Sequence, residues 1–166
     1  MPDSTVSVLL TAGAHGAFDP FFERLAQKLV SAKAADTIIV LGWEMNGTTY
    51  SSRCAPNPKA WKSYWRRIVT TMRSVPGQNF RFDFAPSADA TRSPGPSAIR
   101  ATTWSTSSGM DSYDQAPGEE FLRLRQAAVR AAGRRPAFAK AHGKPISFPE
   151  WGSSATATAP TTCAGC

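Results

Sequence analysis

Two glutamates, Glu44 and Glu150, stand where side chains could do chemistry, each just past a short apolar run. Residues 37–43 (TIIVLGW) lead into Glu44, and residues 145–149 (PISFP) lead into Glu150. A carboxylate that follows a buried parallel strand emerges at the strand's C-terminal end, where parallel barrels build their active sites. Two such groups can share work on a glycosidic bond. One protonates the leaving oxygen and later activates water, and the other attacks the anomeric carbon, at a separation of about 5–5.5 Å. Trp43, Asn46 and Tyr50 surround Glu44 in the sequence, and Trp151 follows Glu150. Aromatic faces cover the C–H surfaces of sugars and amides bind their hydroxyls, so these four are the expected substrate contacts. Taken singly, either glutamate reads as a solvated loop acid; their matching surroundings favour the paired reading.

The remaining reactive residues add little. His15 and His142 fall in loops beside predicted elements and are read as structural. Of the three cysteines, Cys54 stands alone, and Cys163 with Cys166 make one CxxC without a second pair or a nearby histidine, a weak metal signal. Two carboxylates suffice for the chemistry, so neither metal nor organic cofactor is expected.

The elements that must position the pair follow from periodicity. Residues 5–14 (TVSVLLTAGA) are β-rich and read as a strand. Phe18, Phe22, Leu25 and Leu29 recur on one face of a helix. Residues 37–43 form an unbroken apolar run, the mark of a strand buried on both faces. Asn57 and Pro58 open the clearest helix, where Trp61, Tyr64, Trp65, Ile68, Val69 and Met72 share one face before Val75-Pro76-Gly77 ends it. Residues 80–86 (FRFDFAP) read as a strand, residues 138–143 as the end of a helix stopped by Gly143, and residues 145–152 as a strand with its loop. Alternating strands and helices with short connections predict an α/β architecture with parallel strands.

Composition bounds the partners. The chain has 166 residues, 42% hydrophobic and 19% charged, enough for one domain with a core. It is short of the roughly 250 residues of a complete (β/α)8 barrel. No apolar run approaches a membrane span. A net charge of +7 raises nucleic acid as a partner. The basic residues are scattered, with Arg66 and Arg67 among tryptophans and Arg123, Arg125, Arg130, Arg134 and Arg135 further on, and no nucleic-acid module accompanies them. A polysaccharide substrate is expected, without nucleic acid or membrane, on a monomeric chain. The N-terminal residues lack the basic and apolar regions of a signal peptide, although a polymer substrate would call for export.

With these residues in view, a resemblance emerges. LGWEMNG (41–47), WRRIVTTMRSVPGQNFRFDF (65–84), GMDSYDQ (109–115) and FAKAHGKPISFPEWG (138–152) resemble glycoside hydrolase family 26, the β-mannanase family. The pairing of WEMNG with a distal PEWG is its most specific part. The resemblance implies retaining, endo-acting hydrolysis of β-mannan-like polysaccharide on an incomplete (β/α)8 TIM barrel, roughly the third to seventh strands. It assigns Glu44 as acid/base, Glu150 as nucleophile and Tyr113 as the tyrosine that hydrogen-bonds the nucleophile. On this reading residues 1–152 are a partial catalytic domain and residues 153–166 a low-complexity, disordered tail. A hydrolase of another β-glycan, or a carbohydrate-binding remnant without turnover, are the competing readings.

The chain also departs from the family. Trp43 stands where many members have His, and Val40 where they have an Arg that keeps the nucleophile ionised. Residues 87–108, 122–136 and 153–166 lose the family text. GC-rich codons can be chosen for residues 99–109, 122–134 and the tail from 153 that in another frame spell PGDDLVDVVG, VKQPYGLR and LFRNGDSPDYVRRL, text like that of the family. The expectation is that these segments are frameshifted and that the chain as written is poorly stable and weakly active. Codons incompatible with those readings end the idea.

Overall fold

The computed structural model of the chain describes residues 1–86, 105–109, 112–114, 140, 143–147 and 151–153. The elements run α1 (Asp3–Ala14), α2 (Asp19–Ser31), β1 (Ile38–Val40), α3 (Pro58–Arg73), β2 (Arg81–Phe84), β3 (Ser107–Gly109), β4 (Ser112–Asp114), β5 (Ile146–Ser147) and β6 (Trp151–Ser153). Four strands make one sheet in the order β1-β2-β3-β5, every neighbouring pair parallel. β4 and β6 pair with each other, also in parallel.

This is not a (β/α)8 barrel, even an incomplete one. Closing a barrel needs strands tilted and staggered around a full ring. Among the described residues the larger sheet is open, with β1 and β5 as its edges, and β4 and β6 form a second sheet. The strands span two to four residues, at most about 13 Å at 3.3 Å per residue. At the N-terminal end two helices in succession precede β1, where a barrel would alternate strand and helix.

The first of those helices replaces the expected strand at residues 5–14. Val6, Leu10 and Gly13 are its buried residues, at i, i+4 and i+7, the spacing of a helix face. Asp3 sits in its first turn, where a carboxylate favours the N-terminal dipole. α2 carries Pro20 in its first turn and Phe22 and Leu29 against the core. Its C-terminus is a Schellman motif: Ala34 N–H donates to Leu29 C=O at 2.9 Å and Lys33 N–H to Val30 C=O at 3.0 Å. That closure puts Lys33 at φ +60°. β1 is shorter and more exposed than an unbroken apolar run suggests; Ile38 is 49% exposed, and Ile39 and Val40 are half-buried.

α3 organises the core. Its N-cap, Asn57, accepts from Ala60 N–H, and its buried face is Trp61, Trp65, Ile68, Val69 and Met72. That face packs on the sheet: Trp61 meets Phe84 edge-on at 6.4 Å and Trp65 meets Phe82 at 6.5 Å. Phe82 and Met72 are fully buried, each stabilising the fold by about 1.5–3 kcal/mol relative to exposure. On the other flank, Tyr64 lies between Phe18 and Phe22, with ring centroids at 5.8 and 6.0 Å. α1 comes so close to α3 at Gly13 that an added Cβ would stand 2.6 Å from the Tyr64 ring. Asp19 closes the surface over this contact with Arg67, whose Nε donates to both carboxylate oxygens at 2.8 and 2.9 Å.

The alternation in FRFDF sends Phe82 toward α3 and Asp83 to the opposite face. Asp83 is nonetheless only 1% exposed, and burying a carboxylate demands compensating hydrogen bonds. Ser107 Oγ of β3 donates to Oδ1 at 2.8 Å, and Ser147 Oγ of β5 donates to Oδ2 at 2.5 Å. One carboxylate thus ties three parallel strands together.

Candidate functional site

Past Val40 the chain keeps company with β2 for four more residues. Leu41 N–H donates to Asp83 C=O at 3.5 Å, and Glu44 N–H donates to Ala85 C=O at 3.0 Å. Glu44 therefore stands level with the residue after β2, at the C-terminal edge of the parallel sheet. Two left-handed residues turn the chain there: Gly42 at φ +65° and Glu44 at φ +47°. For Gly42 the conformation carries no steric penalty, and a Cβ would stand 2.8 Å from Trp61 Cζ2. Glu44 differs from Lys33, the other non-glycine residue at positive φ among the described residues, because no helix terminus accounts for it.

The loop after Glu44 folds back on itself. Gly47 N–H donates to Glu44 C=O at 2.8 Å, and Cys54 N–H to Met45 C=O at 2.8 Å. Trp61 Nε1 holds Ser52 C=O at 2.8 Å, and Trp65 Nε1 holds Leu41 C=O at 3.1 Å. The indoles of α3 thus fix the backbone on both sides of the glutamate. Arg53, buried beneath the loop, donates from Nη1 to Tyr50 C=O at 2.9 Å. From Nη2 it donates to Met1 C=O at 2.7 Å and to Asp3 Oδ1 at 2.6 Å, so the start of α1 is tied to the same loop.

Of the expected site residues, Glu44, Trp43, Asn46 and Tyr50 come together here. Glu44 is 7% exposed and Asn46 is 6% exposed. Trp43 and Tyr50 are half-buried and meet in a tilted contact, with centroids 4.9 Å apart and planes at 51°. Trp43 Nε1 is buried without a hydrogen-bond partner among the described residues, and a buried N–H left unpaired costs about 1–3 kcal/mol.

Glu150 lies outside the described residues, as do His142, Cys163 and Cys166. Tyr113 and Trp151 are described as strand residues of β4 and β6. Those strands run side by side: Ser112 pairs with Trp151, Tyr113 with Gly152 and Asp114 with Ser153. Residues 112–114 of GMDSYDQ therefore lie beside the strand that begins at Trp151, the residue after Glu150 in the sequence. Residues 151–153 form a strand across the expected boundary at residue 152; residues 154–166 are outside the described part.

His15 caps α1, with its Nδ1 2.8 Å from Thr11 C=O. Cys54 is buried, and burial pushes its thiol pKa upward. No group of three or more metal-ligating side chains occurs among the described residues. No described helix is long and apolar enough to cross a membrane. Sequence reasoning passed over Asp83 and Arg53. The one available signal for Asp83 was an acid inside an otherwise aromatic strand, and nothing local marks Arg53. Compared with known proteins, the chain matches no family model and no curated sequence.

Proposed function

We propose that the chain acts as a retaining glycoside hydrolase on β-linked, mannan-like polysaccharide, with Glu44 as acid/base and Glu150 as nucleophile. The observation that carries this reading is the position of Glu44. It is a buried glutamate, held in a left-handed conformation at the C-terminal edge of a parallel sheet, next in the chain to Trp43, whose ring meets Tyr50. Strained backbone of this kind costs about 1–3 kcal/mol and concentrates where function requires it. The parallel pairing of β4 with β6 supports the second half of the site, because it puts the Tyr113 strand beside the one that follows Glu150.

In this reaction Glu44 donates its proton to the glycosidic oxygen as Glu150 attacks the anomeric carbon. The C–O bond to the leaving group breaks and a glycosyl ester forms. Glu44, now ionised, takes a proton from water, and that water cleaves the ester with net retention. Trp43 and Tyr50 offer apolar faces to the sugar, Asn46 an amide for its hydroxyls, Trp151 a further platform and Tyr113 a hydrogen bond to the nucleophile.

A second reading rests on the sheet order. β1 and β5 are opposite edges, three inter-strand steps or about 14 Å apart. Groups borne at that span would grip one oligosaccharide at two points without flanking a single bond, which describes a carbohydrate-binding remnant. One experiment separates the two. Purified chain is assayed on β-mannan, with β-glucan and xylan in parallel, and retention on insoluble mannan is measured for wild type and Glu150→Gln. Hydrolysis expects turnover that E150Q abolishes while retention persists, and a loss of about 10²–10⁴-fold in E44Q. Retention without turnover in either protein selects the binding remnant. Turnover that survives E150Q overturns the assignment.

A further inference from the structure

We infer that the cavity enclosed by the three helices and the chain on either side of Glu44 is a binding site for a neutral, two-ring aromatic compound. The cavity measures about 400 Å³ and its lining is chiefly apolar. Small-molecule sites run from about 300 to 1,000 Å³ and share that kind of lining. Its inner wall is made by Val6 and Leu10 of α1, Trp61, Trp65 and Ile68 of α3, and Leu41, all of them buried. Leu9 and Ser51, which are exposed, mark its open side. Trp43, Glu44, Asn46 and Tyr50 are not among its lining residues, so the site is distinct from the candidate catalytic groups and does not rest on the carbohydrate reading.

A wall of this kind gains from an occupant. Side chains around a void lack contact partners on one side, and these are already withdrawn from water, so a ligand meets a preformed surface. The indoles of the wall are held in place by the backbone. Trp61 Nε1 donates to Ser52 C=O at 2.8 Å, and Trp65 Nε1 donates to Leu41 C=O at 3.1 Å. Neither ring can swing into the space without breaking its hydrogen bond, and neither has an N–H left to ask for an acceptor on the ligand.

The lining chooses the class of ligand. Among the described residues no acidic or basic side chain lines the cavity. Arg53 and Arg67, on the adjoining loop and helix, are already paired with Asp3 and Asp19. A charge brought in would be buried without a partner, at high cost, so the ligand is neutral. The volume is more than twice the ~150 Å³ that admits a benzene ring, which gives room for two rings. Phe18, Phe22 and Tyr64 join Trp61 and Trp65 in the lining, and offset or edge-on ring contacts favour a flat aromatic occupant. The hydroxyls of Ser51 and Ser52 leave a place for one neutral hydrogen-bonding group.

The test titrates the full chain with N-phenyl-1-naphthylamine, a neutral ring compound whose fluorescence rises in apolar surroundings. Two competitors accompany it: 1-anilinonaphthalene-8-sulfonate, which adds a charge to the same rings, and 1-decanol, a neutral chain. Saturation at a single site is expected, with a rise in melting temperature because the ligand binds the folded state. The sulfonate is expected to bind at least about tenfold more weakly, and 1-decanol more weakly than the naphthylamine. Leu9→Trp crowds the open side and is expected to cost at least about tenfold in affinity. Val8→Trp, at an exposed residue of α1 that does not line the cavity, is expected to keep wild-type affinity. Thermal melts establish that both variants fold, and Ser51→Trp supplies the same comparison if L9W does not. Three results would overturn the proposal: no saturable binding, equal losses in L9W and V8W, or a sulfonate that binds as tightly, as a loosely packed chain would bind it. Tighter binding of 1-decanol would overturn the choice of a ring compound.

Discussion

Replacing Glu44 by glycine should leave a more stable protein than replacing it by alanine, the reverse of what these residues do in ordinary backbone. Both substitutions remove the same buried carboxylate, so its loss cancels in the comparison. What remains is a Cβ at φ +47°. A left-handed residue with a Cβ is strained by roughly 1–2 kcal/mol, while glycine gives back about 0.5–1 kcal/mol through the freedom of its unfolded chain. The difference favours E44G over E44A by about 0.5–1 kcal/mol, or roughly 1–4 °C in melting temperature for a chain of this size. Ser63 supplies the contrast. It is exposed in the middle of α3, and there S63G should be less stable than S63A by about 1 kcal/mol. Differential scanning calorimetry or urea melts of the four variants read both signs. If E44A matched or exceeded E44G, Glu44 would not be strained, and the argument that its conformation marks a functional position would fall with it.

Two further predictions follow from the same loop. Gly42→Ala places a Cβ 2.8 Å from Trp61 Cζ2 at a φ of +65°; overpacking costs about 1–3 kcal/mol and the left-handed backbone roughly 1–2 kcal/mol more. Urea titration should show G42A as the more damaging of G42A and E44A. Cys54 gives a pH signature: burial raises its pKa in the folded chain, so at high pH the unfolded chain loses its thiol proton first. Stability is then constant below the ordinary thiol range, falls as pH rises from about 8.5, and falls less in Cys54→Ala. Tyr64, also raised by burial and by Asp19, leaves a residual slope above about pH 10 in that variant. Parallel alkaline limbs in wild type and C54A would remove the thiol from the account.

Local pattern was most legible where one face of an element is buried and the other is wet. α3 could be written down from Asn57, Pro58 and six apolar residues at helical spacing, and the structure caps and buries it through those residues. The strand around FRFDF was equally plain because its phenylalanines alternate. The same logic misread residues 5–14, where the β-branched Val6 and Val8 outweighed the quieter helical spacing of Val6, Leu10 and Gly13. Tertiary packing decided that contest by setting Gly13 against Tyr64 and clamping Asp3 to Arg53.

The amino-acid text by itself determined which residues could do chemistry and what flanks them: two glutamates past apolar runs, aromatics beside them, and an amphipathic helix between. It could not determine closure or convergence. Whether strands end in a ring or in an open row depends on pairings between segments far apart in the chain. Here those pairings gave an open four-stranded sheet with a separate β4–β6 pair in place of a barrel. Glu44's left-handed turn and the serines on Asp83 are likewise products of that packing, because each depends on neighbours that local sequence does not specify.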